Sequence, residues 1–290
     1  GVGALRWKDE GGRFGLGSFK ALGGAYAVAR HLARTLAGRG IAATDTDLTA
    51  GRHADLTRDI TVTCATDGNH GRSVAWGAQR FHCRAVIYIH ETVSEGRAAT
   101  IARFGADVRR VPGTYDDAVR RAAEDAATNG WTVVSDTSYP GYTDIPRDVM
   151  QGYRVMADEA FAQWTGTGPT HLFVQGGVGG VAAAVAAQAA LHFGNAAPLL
   201  IVVEPDRFDC LYRSAVAGAP TPSPPGPDTL MAGATGSVRW TVINQGPVAT
   251  TNPNWMDTVY LSLDDKISSD DIRLGSFMNE SALAPGQEYL

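Results

Sequence analysis

The sequence predicts an α/β protein organised around an open parallel sheet, and three observations carry that reading. Between residue 59 and about residue 205, short apolar runs rich in β-branched residues alternate with Ala-rich helical stretches. The apolar runs are unbroken rather than alternating, as strands covered on both faces are. Two glycine segments, ATDGNHG at 65–71 and QGGVGG at 175–180, each follow such a run and precede a helix. In open parallel sheets ligands bind beyond the carboxyl ends of the strands, where both glycine segments fall.

In chain order, RFGLGSFKALGGAYAV opens a helix, with Ser18 placed to cap it and Lys20 in its first turn. DITVTCAT is a strand; the ATDGNHG turn leads from it to the helix HGRSVAWGAQRF. RAVIYIH and SEGRAATIARFG form the next strand and helix, followed by VRRVP and YDDAVRRAAEDAATNG. WTVVSD is a further strand, and after a long loop IPRDVMQGYRVMADEAFAQW is a helix. THLFVQ, the second glycine turn, VAAAVAAQAALHF and LLIVVEP close the series. Each pair is a βαβ unit, because a parallel connection needs a crossover long enough to hold a helix.

Pro and Gly then crowd into GAPTPSPPGPDT at 218–229, which can continue neither a helix nor a central strand. VRWTVINQG and DTVYLSLDD beyond it alternate with the two-residue period of half-buried strands. The organisation expected is an α/β core over 1–219, a junction over 220–236, and a partial all-β, Ig-like sandwich over 237–290. The lack of an initiating Met, with strand-like residues at the very start, leads to the expectation that the sequence begins inside a larger gene product.

A length of 290 residues with 44% hydrophobic and 19% charged content suits a globular protein with a sizeable core. A net charge of −5 and the lack of any Lys/Arg-dense run argue against nucleic acid or an anionic membrane as partner. No apolar stretch approaches the roughly 18 residues of a membrane span. Cys64, Cys83 and Cys210 are too few and scattered for a disulfide framework or a Cys-rich zinc site. A reducing, cytoplasmic setting and a small-molecule partner follow; the C-terminal segment alone points instead to an exported or surface protein.

Three segments could carry chemistry. An amine that is to bond a carbonyl must reach its ligand and be partly neutral, which desolvation and a helix N-terminus favour, and Lys20 has that position. Taken alone, a lysine at a helix start is most often solvated. In ATDGNHG, Asp67 stands at the strand end and Asn69 can offer its amide to a ring hydroxyl or a carboxylate, although Asp-Gly-Asn is also ordinary turn chemistry. His70 reads as a satisfied loop histidine.

In QGGVGGVAAAV, the backbone amides of Gly176, Gly177, Val178, Gly179 and Gly180 lie before an Ala-rich helix, the arrangement of a phosphate cradle. The ligand stays open, because Gly177, Gly179 and Ala182 also satisfy G-x-G-x-x-A, and Glu204 ends the next strand as in a nicotinamide-dinucleotide site. That oxidoreductase reading leaves Lys20 and ATDGNHG without a task. Asp136 ends WTVVSD, where an acid can be catalytic but is more often a turn or cap residue. Asp264, Asp265, Asp270 and Asp271 in DDKISSDD lack the glycine and terminal Glu of an EF-hand loop, and no set of residues has metal-ligand spacing.

Taken in order, GSFKALGGAYAV, ATDGNHGRSVAWGAQ, SDTSYPGY, IPRDVMQGY, QGGVGG and DTLMAG resemble the diaminopropionate ammonia-lyase family, of the tryptophan-synthase-β group of pyridoxal-phosphate enzymes. The resemblance covers residues 1 to about 234. ATDGNHGR and MQGY are particular to that family rather than to the serine/threonine dehydratases, the alternative lyase class. The resemblance implies a two-lobed fold type II, here incomplete, with Lys20 bonded to pyridoxal 5'-phosphate and Asn69 beside the cofactor's 3-hydroxyl. Gly176, Gly177, Val178, Gly179 and Gly180 would hold the phosphate.

The reaction it implies takes the α-proton from 2,3-diaminopropionate and expels the β-amino group, leaving pyruvate and ammonia. Lys20 would be the base for one enantiomer and Asp67 for the other, with Asp136 near the distal amine, in a chain that is a homodimer in the intact family. Family members have sequence before the equivalent of Gly1 and a long C-terminal part after DTLMAG. That part holds the polar residue facing the cofactor's ring nitrogen. In its place stands a segment resembling a bacterial cell-adhesion-related, CARDB-like sandwich, from which a non-catalytic adhesion role is the third reading.

Overall fold

In the computed structural model the first helix, α1 (Lys20–Ala37), follows a 3-10 turn at Arg13–Gly15 and is succeeded by two short helices, α2 (Asp45–Thr49) and α3 (Ala54–Thr57). The structure describes residues 4–205 and 208–223, together with the backbone of four strands beyond residue 241. The alternation read from the sequence then appears in full. β1 (Thr61–Ala65), α4 (Asn69–Arg80), β2 (Arg84–His90), α5 (Glu95–Ala102), β3 (Asp107–Val111), α6 (Tyr115–Asn129) and β4 (Thr132–Val133) build one sheet in the order β3-β2-β1-β4. All its pairings are parallel, with Ala65 opposite Tyr88 and His90 opposite Val111. α7 (Asp144–Ala162) leads to β5 (His171–Gln175), α8 (Gly180–Phe193), β6 (Leu199–Val203) and α9 (Cys210–Ala217), and β5 pairs β6 in a second parallel sheet.

Local chemistry sets most boundaries. Ser94 and Thr114 accept the N–H groups of Arg97 and Asp117 and so cap α5 and α6, while Gly130 ends α6 in the left-handed conformation. β4 is shorter than WTVVSD predicts. The Tyr142 hydroxyl donates to Val133 O and accepts from Ser135 N, so the edge that would continue the ladder is already occupied.

Val62, Cys64, Ile87 and Ile89 of the first sheet are fully buried and share one core with Leu32 and Leu36 of α1, Val74 of α4 and Tyr153 of α7. α1 packs against both α4 and α7, and glycines permit the approach. A Cβ on Gly77 would lie 2.8 Å from Ala25 Cα, and one on Gly152 would lie 2.5 Å from Leu22 O. The glycines in GGAY, WGAQ and MQGY are therefore packing residues that fix the helix bearing Lys20.

The chain divides into two units between Met231 and Ala232, inside the junction expected over 220–236. In the second unit β7 (Val242–Ile243) pairs antiparallel with β10 (Glu288–Tyr289), and β8 (Trp255–Leu261) with β9 (Ile272–Asn279). DTLMAG, in the expected junction, and DDKISSDD with the rest of the expected sandwich lie outside the described residues. Among the described residues no helix is long and apolar enough to cross a membrane.

Candidate active site

Lys20 is the first residue of α1; Phe19, not Ser18 as the sequence predicts, is the N-cap, and Ser18 Oγ, one position earlier, accepts from Lys20 N–H at 3.2 Å. Its ammonium forms an ion pair with Asp136 and lies 5.7 Å from the Phe19 ring centre and 5.9 Å from that of Tyr153. Asp136 is therefore no ordinary turn residue; its partner, 116 positions away, is the signal its neighbours in sequence do not carry. Burial alone would push the Asp136 carboxyl upward, but His70 and Lys20 outweigh it and hold the group down to about 2.

His70 also departs from its sequence reading. Gly68, at φ 150°, turns the chain so that α4 starts at Asn69, which puts His70 on the helix and buries it. Its Nε2 is 2.7 Å from Val134 O, and since a carbonyl only accepts, Nε2 carries the proton. Nδ1 faces Asp136 Oδ2 at 3.8 Å and is buried with no hydrogen-bond partner. Lys20, Asp136 and His70 thus converge from α1, the end of β4 and α4. Above them the Tyr153 hydroxyl is likewise buried and unpartnered, and burial pushes its acidity well below that of a free phenol.

Asn69 is exposed at the start of α4 and accepts from Arg72 through Oδ1 at 2.7 Å; its amide NH₂ donates to no group among the described residues. Asp67 does not join the Lys20 cluster. It accepts instead from His90 at the end of β2, 2.9 Å away. At the start of α6 the Tyr115 hydroxyl is raised by burial, then by the charges of Asp136 and Asp67 among others.

The glycine turn stands at the carboxyl end of β5. Gly176 N donates to Val203 O at 2.7 Å, which closes the sheet. The N–H groups of Gly177, Val178, Gly179 and Gly180 find no acceptor among the described residues, as expected of a helix start that can receive an anion. A Cβ on Gly177 would meet nothing within 4 Å, and Gly179 is left-handed at φ 87°. A Cβ on Gly180 would come 3.7 Å from the Asp136 carbonyl oxygen, so the turn adjoins the Lys20–Asp136 pair.

A half-buried lysine, a set of free amide donors and an unspent imidazole nitrogen in one place fit pyridoxal phosphate. They fit a dinucleotide poorly, because Glu204, the acid a ribose would need, accepts from Leu211 N at 3.0 Å and Tyr212 N at 2.9 Å and so caps α9. Residue type alone does not mark His90 as functional. The signal available was its place: the last residue of an apolar strand, at the end where ligands bind.

Over residues 1–249 the sequence matches the family described as pyridoxal-phosphate dependent enzyme. It is 42% identical over 219 residues to the diaminopropionate ammonia-lyase of Salmonella typhimurium, an alignment covering 74% of this chain and 54% of that enzyme. Against the Escherichia coli K12 enzyme the identity is 40% over 222 residues, covering 75% and 54%. The crystal structure of the Escherichia coli enzyme in complex with D-serine matches at a TM-score of 0.67 and 40% identity over 74% of this chain and 55% of that one. The chain spans about half the length of the curated relatives it matches.

Proposed function

Because the chain belongs to the pyridoxal-phosphate dependent enzyme family, we propose that it is an ammonia-lyase acting on 2,3-diaminopropionate, with Lys20 as the residue that bonds the cofactor. The observation that carries this reading is the Lys20–Asp136 pair lying against a glycine turn with free amide donors. Two relatives at 42% and 40% identity bear that activity by name, and the Escherichia coli enzyme was solved with D-serine bound.

Gly177, Val178, Gly179 and Gly180 would hold the phosphate by their N–H groups, and the dipole of α8 adds to the attraction. Asn69 would offer its free amide to the 3-hydroxyl. When bound, the cofactor supplies a conjugated ring that takes up the electron pair left on the α-carbon. Lys20 would take the α-proton from one face of the substrate and Asp67 from the other. Asp136 has a further part. Once the Lys20 nitrogen is engaged, its carboxylate loses that cation and is free to hold the substrate's distal ammonium. His70, fixed by Val134, would keep Asp136 ionised for the task.

Protein saturated with pyridoxal phosphate is expected to show a visible absorption band that Lys20→Ala removes, with a fall in pyruvate formation of roughly 10²–10⁴-fold. D- and L-2,3-diaminopropionate are tested beside serine and threonine. Faster turnover of serine or threonine would move the chain to the dehydratases, and a saturated protein with no band would end the catalytic reading.

A further inference from the structure

We infer that His90, backed by Thr92, is the positioning residue for Asp67 and so governs turnover of one substrate enantiomer; this rests on the reading of Asp67 as the second base. Asp67 alone is not held in one position, since its side chain is 63% exposed while that of His90 is 4% exposed. An exposed carboxylate samples several rotamers, whereas a buried ring packed at a strand end has one. The bond between them, 2.9 Å from Nε2 to Oδ1, lends the rigidity of β2 to the end of β1.

The proton positions follow from the partners. A carboxylate only accepts, so Nε2 carries the hydrogen and donates to Oδ1. Nδ1 lies 2.9 Å from the Thr92 hydroxyl, which can donate to a neutral ring or accept from a charged one. Both ring nitrogens are therefore satisfied in either charge state, as a buried imidazole requires. The main chain on each side is also tied: Arg110 donates to His90 O at 3.2 Å and Arg97 to Asp67 O at 3.4 Å. Tyr115, at the start of α6, is close enough to feel the charge of Asp67.

With Oδ1 held, Oδ2 is the atom left to accept. As the α-carbon's C–H bond breaks, an O–H bond would form at Oδ2, the cofactor, when bound, would supply the conjugated ring that takes up the electron pair, and His90 would keep its own proton. Lys20, the other base, is supported separately by Asp136, with His70 behind it. The two bases therefore have independent supports, and one can be loosened without the other.

His90→Phe keeps a ring and deletes the donor. The expected result is a loss of about tenfold to hundredfold in kcat for one enantiomer of 2,3-diaminopropionate, with KM and the other enantiomer little changed, as misplacement of a catalytic group predicts. Asp67→Asn is expected to depress the same enantiomer, and His90→Gln, which restores a donor of similar reach, to recover most of the loss. Thr92→Val gives a milder fall should the Phe variant fold poorly.

A readout without cofactor accompanies these: ¹⁵N spectra of the histidine side chains should show His90 protonated at Nε2 and shifted by Asp67→Asn. Equal losses for both enantiomers, no loss, or a His90 signal indifferent to Asp67→Asn overturns the inference. A visible band with no pyruvate from either enantiomer instead overturns the proposed function and with it the role of His90. A surviving ¹⁵N response then marks the pair as structural.

Discussion

The surroundings of Lys20 and those of the glycine turn are built on opposite plans, although both belong to one site. Around Lys20 helices meet at van der Waals limits: Gly24 has Ser73 Oγ 2.6 Å from where its Cβ would stand, and Ser73 itself is buried, accepting from Ala25 N and donating to Ala21 O. Around Gly177 there is open space, and Val178 is 55% exposed. The difference teaches what each part must do. A reacting amine needs one position, so its helix is locked on two sides, whereas a phosphate must enter and find donors that no protein group has already taken.

The largest effect is expected where the lock is tightest. Gly152→Val would drive a branched side chain into the α1 backbone at Leu22 and Gly23, with no flexible neighbour to yield. Overpacking of that kind costs about 3 kcal/mol. Urea unfolding measures it, and the displaced α1 should weaken cofactor binding through Lys20 as well. A variant as stable as the parent would mean that the close approach of α1 and α7 is not required.

Asp136→Asn sharpens the comparison by removing a charge without changing volume. It leaves the Lys20 ammonium without its carboxylate, at about 2 kcal/mol near neutral pH. The pH dependence has a definite sign. The folded-state value near 2 lies below the ordinary aspartate value of about 3.9, so the pair's stabilisation is complete above about pH 4 and is lost as pH falls towards 2. Asp136→Asn should flatten that acid limb. Glu159, held down to about 2 by Arg13 and Lys8, stays in place and retains its own share. An unchanged acid limb would remove Asp136 from the account.

How much could be read beforehand divides along similar lines. The strands β1 to β3, their helices and both glycine turns were legible because periodicity and glycine placement are local properties of the chain. Lys20 was legible only through its companions in sequence. What the sequence did not carry was which buried ring faces which carboxylate. By residue type alone His70 reads as a loop histidine, Asp136 as a turn residue, and His90 carries no signal, because each is defined by a partner distant in the chain. Glu204 erred in the other direction: its spacing suited a ribose, and only the position of α9 shows its carboxylate already taken. β4 fell short of its apolar run for a similar reason, since the hydroxyl that occupies its edge belongs to Tyr142.

The smallest effect on stability, and the sharpest on binding, is expected at the open end. Gly177 is outside the left-handed region, and nothing lies within 4 Å of an added Cβ, so Gly177→Asp should leave the melting temperature nearly unchanged. The new carboxylate would compete for the same free N–H groups and repel an anion at the head of α8. A repulsion of about 1.4 kcal/mol raises the dissociation constant of pyridoxal phosphate tenfold. Pyridoxal without its phosphate provides the control, because its affinity should be insensitive to the substitution if the turn serves the phosphate alone. Equal weakening of both would mean that the turn touches the ring. In that case the division between a locked base and an open anion cradle would give way to a single continuous pocket wall.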